Sequence, residues 1–202
     1  MSTARELTLI VVGLPADRAV EPGDLSLALA GAEAADLLAG GRLALDGDRL
    51  VPGDGPASDA RLLEEAFAAL VRRQPRETVE HWLWRRGEGL AEAYATDLRR
   101  AGLLVHPHRH GLRLRSAAVE PADSPEYRRA RDRLVSGEPV LAGLLALLTA
   151  GETTADSGGG SPAPDDSVST VLAAVGNAVT ELEAARLRRD VEEAGFDNIW
   201  RG

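Results

Sequence analysis

Three histidines at alternate positions, His106, His108 and His110, are the residues of this chain best spaced for coordination chemistry. On an extended strand they share one face and offer three imidazoles to a metal ion, with Pro107 holding the segment extended. Neighbours on one strand rarely surround a cation without a ligand from elsewhere, so a solvated turn is the favoured reading and no metal site is assigned. Directly after them, Leu112 and Leu114 alternate with Arg113 and Arg115. A hairpin there would set two leucines on one face and two guanidiniums on the other, as suits a segment lying on an anionic membrane surface, and Arg109 adds a third cation. The same alternation also describes a small sheet whose leucines pack on a core.

Catalytic chemistry has less to work with. The chain has no Gly-x-Ser-x-Gly elbow, no His-Glu-x-x-His and no dinucleotide glycine fingerprint, so the standard routes to a nucleophile, a zinc site or a cofactor are missing. It has no cysteine, and all 23 basic residues are arginine. Thiolate, Schiff-base and P-loop lysine roles are therefore excluded, and the zero cysteine count is compatible with the cytosol. A non-enzyme with no catalytic residues and no cofactor is expected.

The charge of −9 is uneven. Residues 99–133 hold nine arginines against Glu120, Asp123, Glu126 and Asp132, a local excess of basic charge in an acidic chain. With helices before it, the candidate hairpin could be the wing of a winged helix, which makes a nucleic-acid or protein-interaction module the alternative reading. Against nucleic acid stand Glu88, Glu92 and Asp97 on the helix that would read bases, and the acidity of the whole chain, where a positive field is needed.

The elements that must position these residues are mostly helical. With 202 residues and 44% hydrophobic content, one domain spanning 1–202 can bury a sizeable core. Leu7–Gly13 is a short apolar run readable as strand or helix. Asp24 is expected to cap a helix through about Ala39, stopped by Gly40-Gly41, and Leu43, Leu45 and Leu50-Val51 form a small hairpin about Asp46-Gly47. A helix from Ser58 or Asp59 carries the stripe Leu62, Leu63, Ala66, Phe67, Leu70 and Val71. Pro75 breaks the chain, a shorter helix holds Val79, Trp82 and Leu83, and a third holds Leu90, Tyr94 and Leu98 before Gly102.

Leu103–Val105 and Leu112–Ala118 read as strands joined by residues 106–111. Ser124-Pro125 starts a helix to about Ser136. Pro139 opens a very apolar helix to near Gly151, expected at the centre of the core, and a last helix runs from about Val168 to Ala194. Residues 152–166 read as a flexible loop. The longest apolar run, around Val140–Ala150, is interrupted by Gly143 and Thr149 and is too short for a hydrocarbon layer of about 30 Å. No secretory signal pattern is visible.

Residues 56–104 are the most informative stretch. Pro56, Asp59, Leu62, Leu63, Glu65 and Ala66, followed by Pro75, Val79 and Trp82 and then Leu98, Gly102 and Leu104, resemble the Golgi phosphoprotein 3 family. Leu7-Thr8-Leu9, Gly41-Arg42-Leu43 and Leu144-Leu145-Ala146-Leu147 fall where that family has similar short motifs, so the resemblance covers most of residues 6–150. The N-terminus departs from it, since Pro15 and Pro22 interrupt what is usually a longer helix, and so does the Gly/Ser/Pro-rich stretch 157–164. The lysine-free, Ala/Gly/Arg/Leu-rich composition suits a GC-rich bacterial genome of actinobacterial type, where no Golgi exists.

The resemblance implies a mainly α, single compact helical domain with one or two small β-hairpins. It also implies a function, because eukaryotic members bind phosphatidylinositol 4-phosphate through a basic pocket, insert a hydrophobic hairpin into the bilayer and retain Golgi glycosyltransferases as adaptors. The pocket does not carry over: the family's helix arginine falls on Ala30, its paired arginines fall on Glu88 and Ala91, and no tryptophan lies near Glu21–Asp24. The expectation is thus a non-enzymatic peripheral adaptor at the cytoplasmic face of a membrane. Arg109, Leu112, Arg113, Leu114 and Arg115 are its lipid-binding residues, and its partners are an anionic lipid surface and the cytoplasmic tails of membrane proteins.

Overall fold

The computed structural model describes residues 1–106, 119–149 and 165–199. In chain order these form α1 (Thr3–Val12), α2 (Pro22–Ala39), β1 (Leu43–Asp46), β2 (Arg49–Pro52), α3 (Arg61–Ala68), α4 (Val79–Gly87), α5 (Leu90–Arg100), β3 (Leu104–Val105), β4 (Glu120–Pro121), α6 (Pro125–Val135), α7 (Pro139–Thr149) and α8 (Asp166–Ile199). The protein is mostly helical, with two small antiparallel strand pairs, β1 with β2 and β3 with β4.

The centre of the core is α2 and not the more apolar α7. Helices α1, α3, α4, α5, α7 and α8 all pack on α2, and its residues are buried on every side, from Leu25 and Leu27 through Ala28, Ala30, Gly31, Ala32 and Ala34 to Leu37. Small side chains make that possible by letting neighbouring backbones approach. At Gly31 a Cβ would meet Val175 Cγ2 of α8 at 2.4 Å, a separation real side chains do not tolerate. Helix α7 instead covers one flank, with only Leu141 and Leu144 fully buried.

Helix α2 also starts earlier than Asp24 suggests. Glu21 occupies the cap position and Pro22 the first turn, where its fixed φ suits a helix and its missing N–H costs nothing. Asp24 lies inside that turn and accepts from Arg186 Nη1 of α8 at 2.8 Å.

The run at Leu7 is helical, capped by Ser2, whose Oγ accepts from Arg5 N at 3.4 Å. Thr3 fixes this helix to α2 by donating to Asp36 through N (2.8 Å) and Oγ1 (2.6 Å). In the first hairpin Asp46 pairs with Arg49, so the two turn residues are Gly47 and Asp48, one position later than the sequence suggested; Gly47 supplies the positive φ of 61°. Helix α3 begins at Arg61 and ends at Ala68, so Leu70, although buried, packs from beyond its end.

Trp82 of α4 is fully buried and donates from Nε1 to the carbonyl of Ala30 at 3.3 Å. Burying so large a ring contributes several kcal/mol; truncation to alanine in comparable cores costs about 3–5 kcal/mol. Helix α5 buries Leu90, Tyr94 and Leu98 and is followed by Gly102 at φ 70°. Ser124 Oγ accepts from Tyr127 N at 3.1 Å and Pro125 opens α6. Helix α8 is longer than the apolar pattern indicated. It buries Val171, Val175, Ala178 and Val179 and then leaves Leu187 and Val191 exposed. Of the loop expected at 152–166, the part up to residue 164 lies outside the described residues, and Asp166 already belongs to α8.

Candidate functional site

The five residues expected to meet lipid, Arg109, Leu112, Arg113, Leu114 and Arg115, lie outside the described residues, as do His108 and His110. The structure describes the ends of their segment. Strand β3 pairs with β4 in the register Leu104 to Pro121 and Val105 to Glu120, so the partner of β3 is Glu120–Pro121, and the strand expected at 112–118 lies outside the described residues. Leu103 and Leu104 pack into a small apolar cluster with Leu9 and Leu98, whereas Val105 and His106 are exposed. Among the described residues no group of three or more His, Cys, Asp or Glu side chains could hold a metal ion.

Several arginines of the basic segment are occupied. Arg99 pairs with Glu92 at 2.9 Å, Arg128 with Asp123 at 2.5 Å, and Arg133 reaches Glu6 of α1 as well as Glu138. Arg100 has no hydrogen-bond or carboxylate partner among the described residues, and Arg131 stacks on Tyr127 at 6.0 Å.

A cavity of about 460 Å³ opens where the start of α2, the junction of α4 and α5, and α8 converge. Its walls are Leu27, Trp84, Ala91 and Leu182, its close approaches are made by Gly23, Gly87 and Gly89, and Glu88 and Glu92 supply its charge. Ser26 helps hold the junction by accepting from Ala91 N at 3.1 Å. A second recess of about 140 Å³, between Ser2, Arg5, Asp59, Arg61 and Asp97, is polar. Asp97 engages both arginines there, Arg5 Nε at 3.4 Å and Arg61 Nη2 at 3.7 Å.

The sequence profile of the Golgi phosphoprotein 3 family matches residues 4–194. The chain belongs to the Golgi phosphoprotein 3 family. None of the curated proteins compared matches it.

Most of the residues that carried the family resemblance build the fold. Leu43, Leu62, Leu63, Ala66, Val79, Trp82, Leu98 and Leu104 are all buried, and Gly41 and Gly102 supply positive φ. Arg42 donates to both carboxylate oxygens of Glu64, including Nη2 to Oε2 at 3.0 Å, and lies 3.8 Å over the Phe67 ring. The hydrogen bonds from Arg42, joined by one from Ser58 N, hold Glu64 below its ordinary carboxylate range.

Of the three positions onto which the resemblance placed the family's headgroup arginines, Glu88 and Ala91 fall at one cavity and Ala30 does not. Glu88 and Ala91 line the 460 Å³ cavity together with Pro22 and Gly23, while Ala30 is buried in the core. The cavity lining contains no cation.

Sequence reasoning missed a buried polar centre. Glu33 of α2 has no solvent exposure. It accepts from Arg86 Nε at 2.7 Å and Nη2 at 2.8 Å, and from the Tyr94 hydroxyl at 2.9 Å. Arg86 Nη2 also donates to the Leu62 carbonyl at 3.0 Å, so three helices meet at one carboxylate and Arg86 ties α3 to them. Burial pushes the Glu33 carboxyl up against the opposing pull of Arg86, and burial followed by the Glu33 charge pushes the Tyr94 phenol up. A single acid in the otherwise small and apolar run 25–35 was the available signal, because a buried carboxylate requires a partner.

Proposed function

We propose that the protein is a non-enzymatic peripheral adaptor that docks on an anionic phospholipid surface at the cytoplasmic face of a membrane. The observation that carries this reading is membership of the Golgi phosphoprotein 3 family across residues 4–194. Two features support a surface-bound mode. No helix among the described residues is long and apolar enough to cross a membrane. The β3–β4 pair ties together the two ends of a segment whose sequence alternates Leu112 and Leu114 with Arg113 and Arg115.

Recognition is of surface charge in this reading, not of one phosphoinositide. Glu88 and Ala91 stand where headgroup-binding arginines would be needed, and a phosphate requires donors there. Cytoplasmic tails of membrane proteins are the second class of partner. Co-sedimentation with phosphatidylglycerol vesicles, beside a DNA mobility shift at two salt concentrations, tests the proposal. Vesicle binding that weakens with salt supports it. A DNA shift without vesicle binding favours the winged-helix module instead.

A further inference from the structure

We propose that the cavity between α2, α4, α5 and α8 binds a small amphiphilic organic cation, with its apolar body against Leu27, Trp84 and Leu182 and its ammonium group at Glu88. This goes beyond the membrane-docking reading and does not rest on it, since none of the docking residues 109–115 lines the cavity and the cavity selects the opposite charge.

The cavity has the dimensions and wall chemistry of a small-molecule site. Its volume of about 460 Å³ lies in the usual range, and such sites combine apolar walls with a few polar groups that fix orientation. Here those polar groups are acidic. Glu92 is already engaged by Arg99 at 2.9 Å and by the Thr96 hydroxyl at 3.1 Å. Glu88 is exposed and makes no hydrogen bond or ion pair among the described residues. A carboxylate at the mouth of an apolar recess favours a cation over a neutral or anionic ligand of the same shape.

The nearest positive features do not reverse that preference. Arg186 reaches the neighbourhood of Gly23, but its Nη1 is held by Asp24 Oδ2 at 2.8 Å, with Glu21 and Glu183 adding negative charge around it. The starts of α2 and α5 border the cavity, and each helix N-terminus is equivalent to roughly half a positive charge. Asp24 and Glu92 sit in those first turns, Pro22 has no N–H, and the N–H of Ala91 is taken by Ser26. Trp84 supplies an aromatic surface for an organic cation. Arg85 stacks on Trp82 at 5.4 Å, and no cation of the described residues covers Trp84.

Calorimetric titration of the full chain with monomeric octyltrimethylammonium, octyl glucoside and octyl phosphate tests the assignment. The cation is expected to bind at least tenfold more tightly than either competitor. Glu88→Gln should remove most of that preference, and Glu88→Arg should turn it toward octyl phosphate, both with an unchanged melting temperature because Glu88 is exposed. Ala91→Trp, which fills the recess, should abolish binding of all three. Vesicles of neutral lipid carrying a trimethylammonium amphiphile distinguish the sources. Glu88-dependent recruitment to them assigns a lipid-borne cation, and monomer binding without recruitment assigns a free one. Equal affinity for the three amphiphiles, preference of the natural chain for octyl phosphate, or indifference to Glu88→Gln overturns the proposal. None of these outcomes depends on whether residues 109–115 meet a membrane.

Discussion

Replacing Arg86 by methionine isolates the energetic role of the buried Glu33. The substitution retains an unbranched side chain that can pack along α4, but it strips Glu33 of the hydrogen bonds at 2.7 and 2.8 Å and leaves the Leu62 carbonyl without its donor at 3.0 Å. Removing one partner of a buried ion pair costs about 3–5 kcal/mol, because an uncompensated charge stays in the interior. In a chain of this size each kcal/mol lowers the melting temperature by about 2–4 °C, so a drop on the order of 6–20 °C is expected near neutral pH.

The effect carries a pH signature. Burial already raises the Glu33 carboxyl in the folded protein, and losing Arg86 raises it further. The folded state then takes up a proton at higher pH than the unfolded chain, so the stability linked to Glu33 is fully present below the unfolded carboxylate value and is lost as pH rises through the folded one. The gap between natural chain and variant should therefore narrow as pH falls from 8 toward 5 in urea melts. Glu33→Gln combined with Arg86→Leu should recover much of the loss, since a neutral amide oxygen can still accept from Tyr94. A gap below about 1 kcal/mol, or one that widens in acid, would refute the reasoning, because a buried pair should exceed the value of an exposed one.

Gly31→Val should destabilise the fold by a few kcal/mol through overpacking against Val175, and Val175→Ala in the same chain should restore part of it, as read from thermal melts in a double-mutant cycle. Arg113→Glu with Arg115→Glu should weaken binding to anionic liposomes more than tenfold, given about 1 kcal/mol for each arginine near such a surface. Leu112→Asp with Leu114→Asp should abolish liposome binding while leaving helical circular dichroism and melting temperature nearly unchanged; an unfolded double mutant would assign the leucines to the core. Vesicles containing phosphatidylinositol 4-phosphate should bind no better than phosphatidylglycerol vesicles of equal charge, and strict dependence on that phosphoinositide would show a headgroup pocket built from other arginines.

Helix limits set by local chemistry were legible in the sequence. Ser124 with Pro125 marks the start of α6, and Gly102 marks the end of α5, because capping and positive φ depend on residues that are neighbours in the chain. The rank of the helices was not legible. Helix α7, with its leucines, reads as more apolar than α2, yet alanine and glycine give α2 the slender surface on which most of the other helices converge. Asp24 was misread for a related reason, since its partner Arg186 is 162 positions away. The candidate cavity draws Gly23, Glu88 and Leu182 from three distant parts of the chain, and no spacing rule joins them. The family motif was readable because it encodes packing, and for the same reason it says little about the ligand.

The packing of α8 on α2 also bears on how the protein is made. The face of α2 around Gly31 is closed by Val171 and Val175, with Leu144 alongside, and the two valines follow it by about 140 residues. At roughly 5–20 residues per second, a ribosome needs on the order of 7–28 s to bridge that interval. During that time the central helix has no permanent cover on this side, and an early-emerging apolar surface of this kind is what nascent-chain chaperones engage. Final closure is left to a contact of long sequence separation, which favours slow, late consolidation over helix-by-helix assembly.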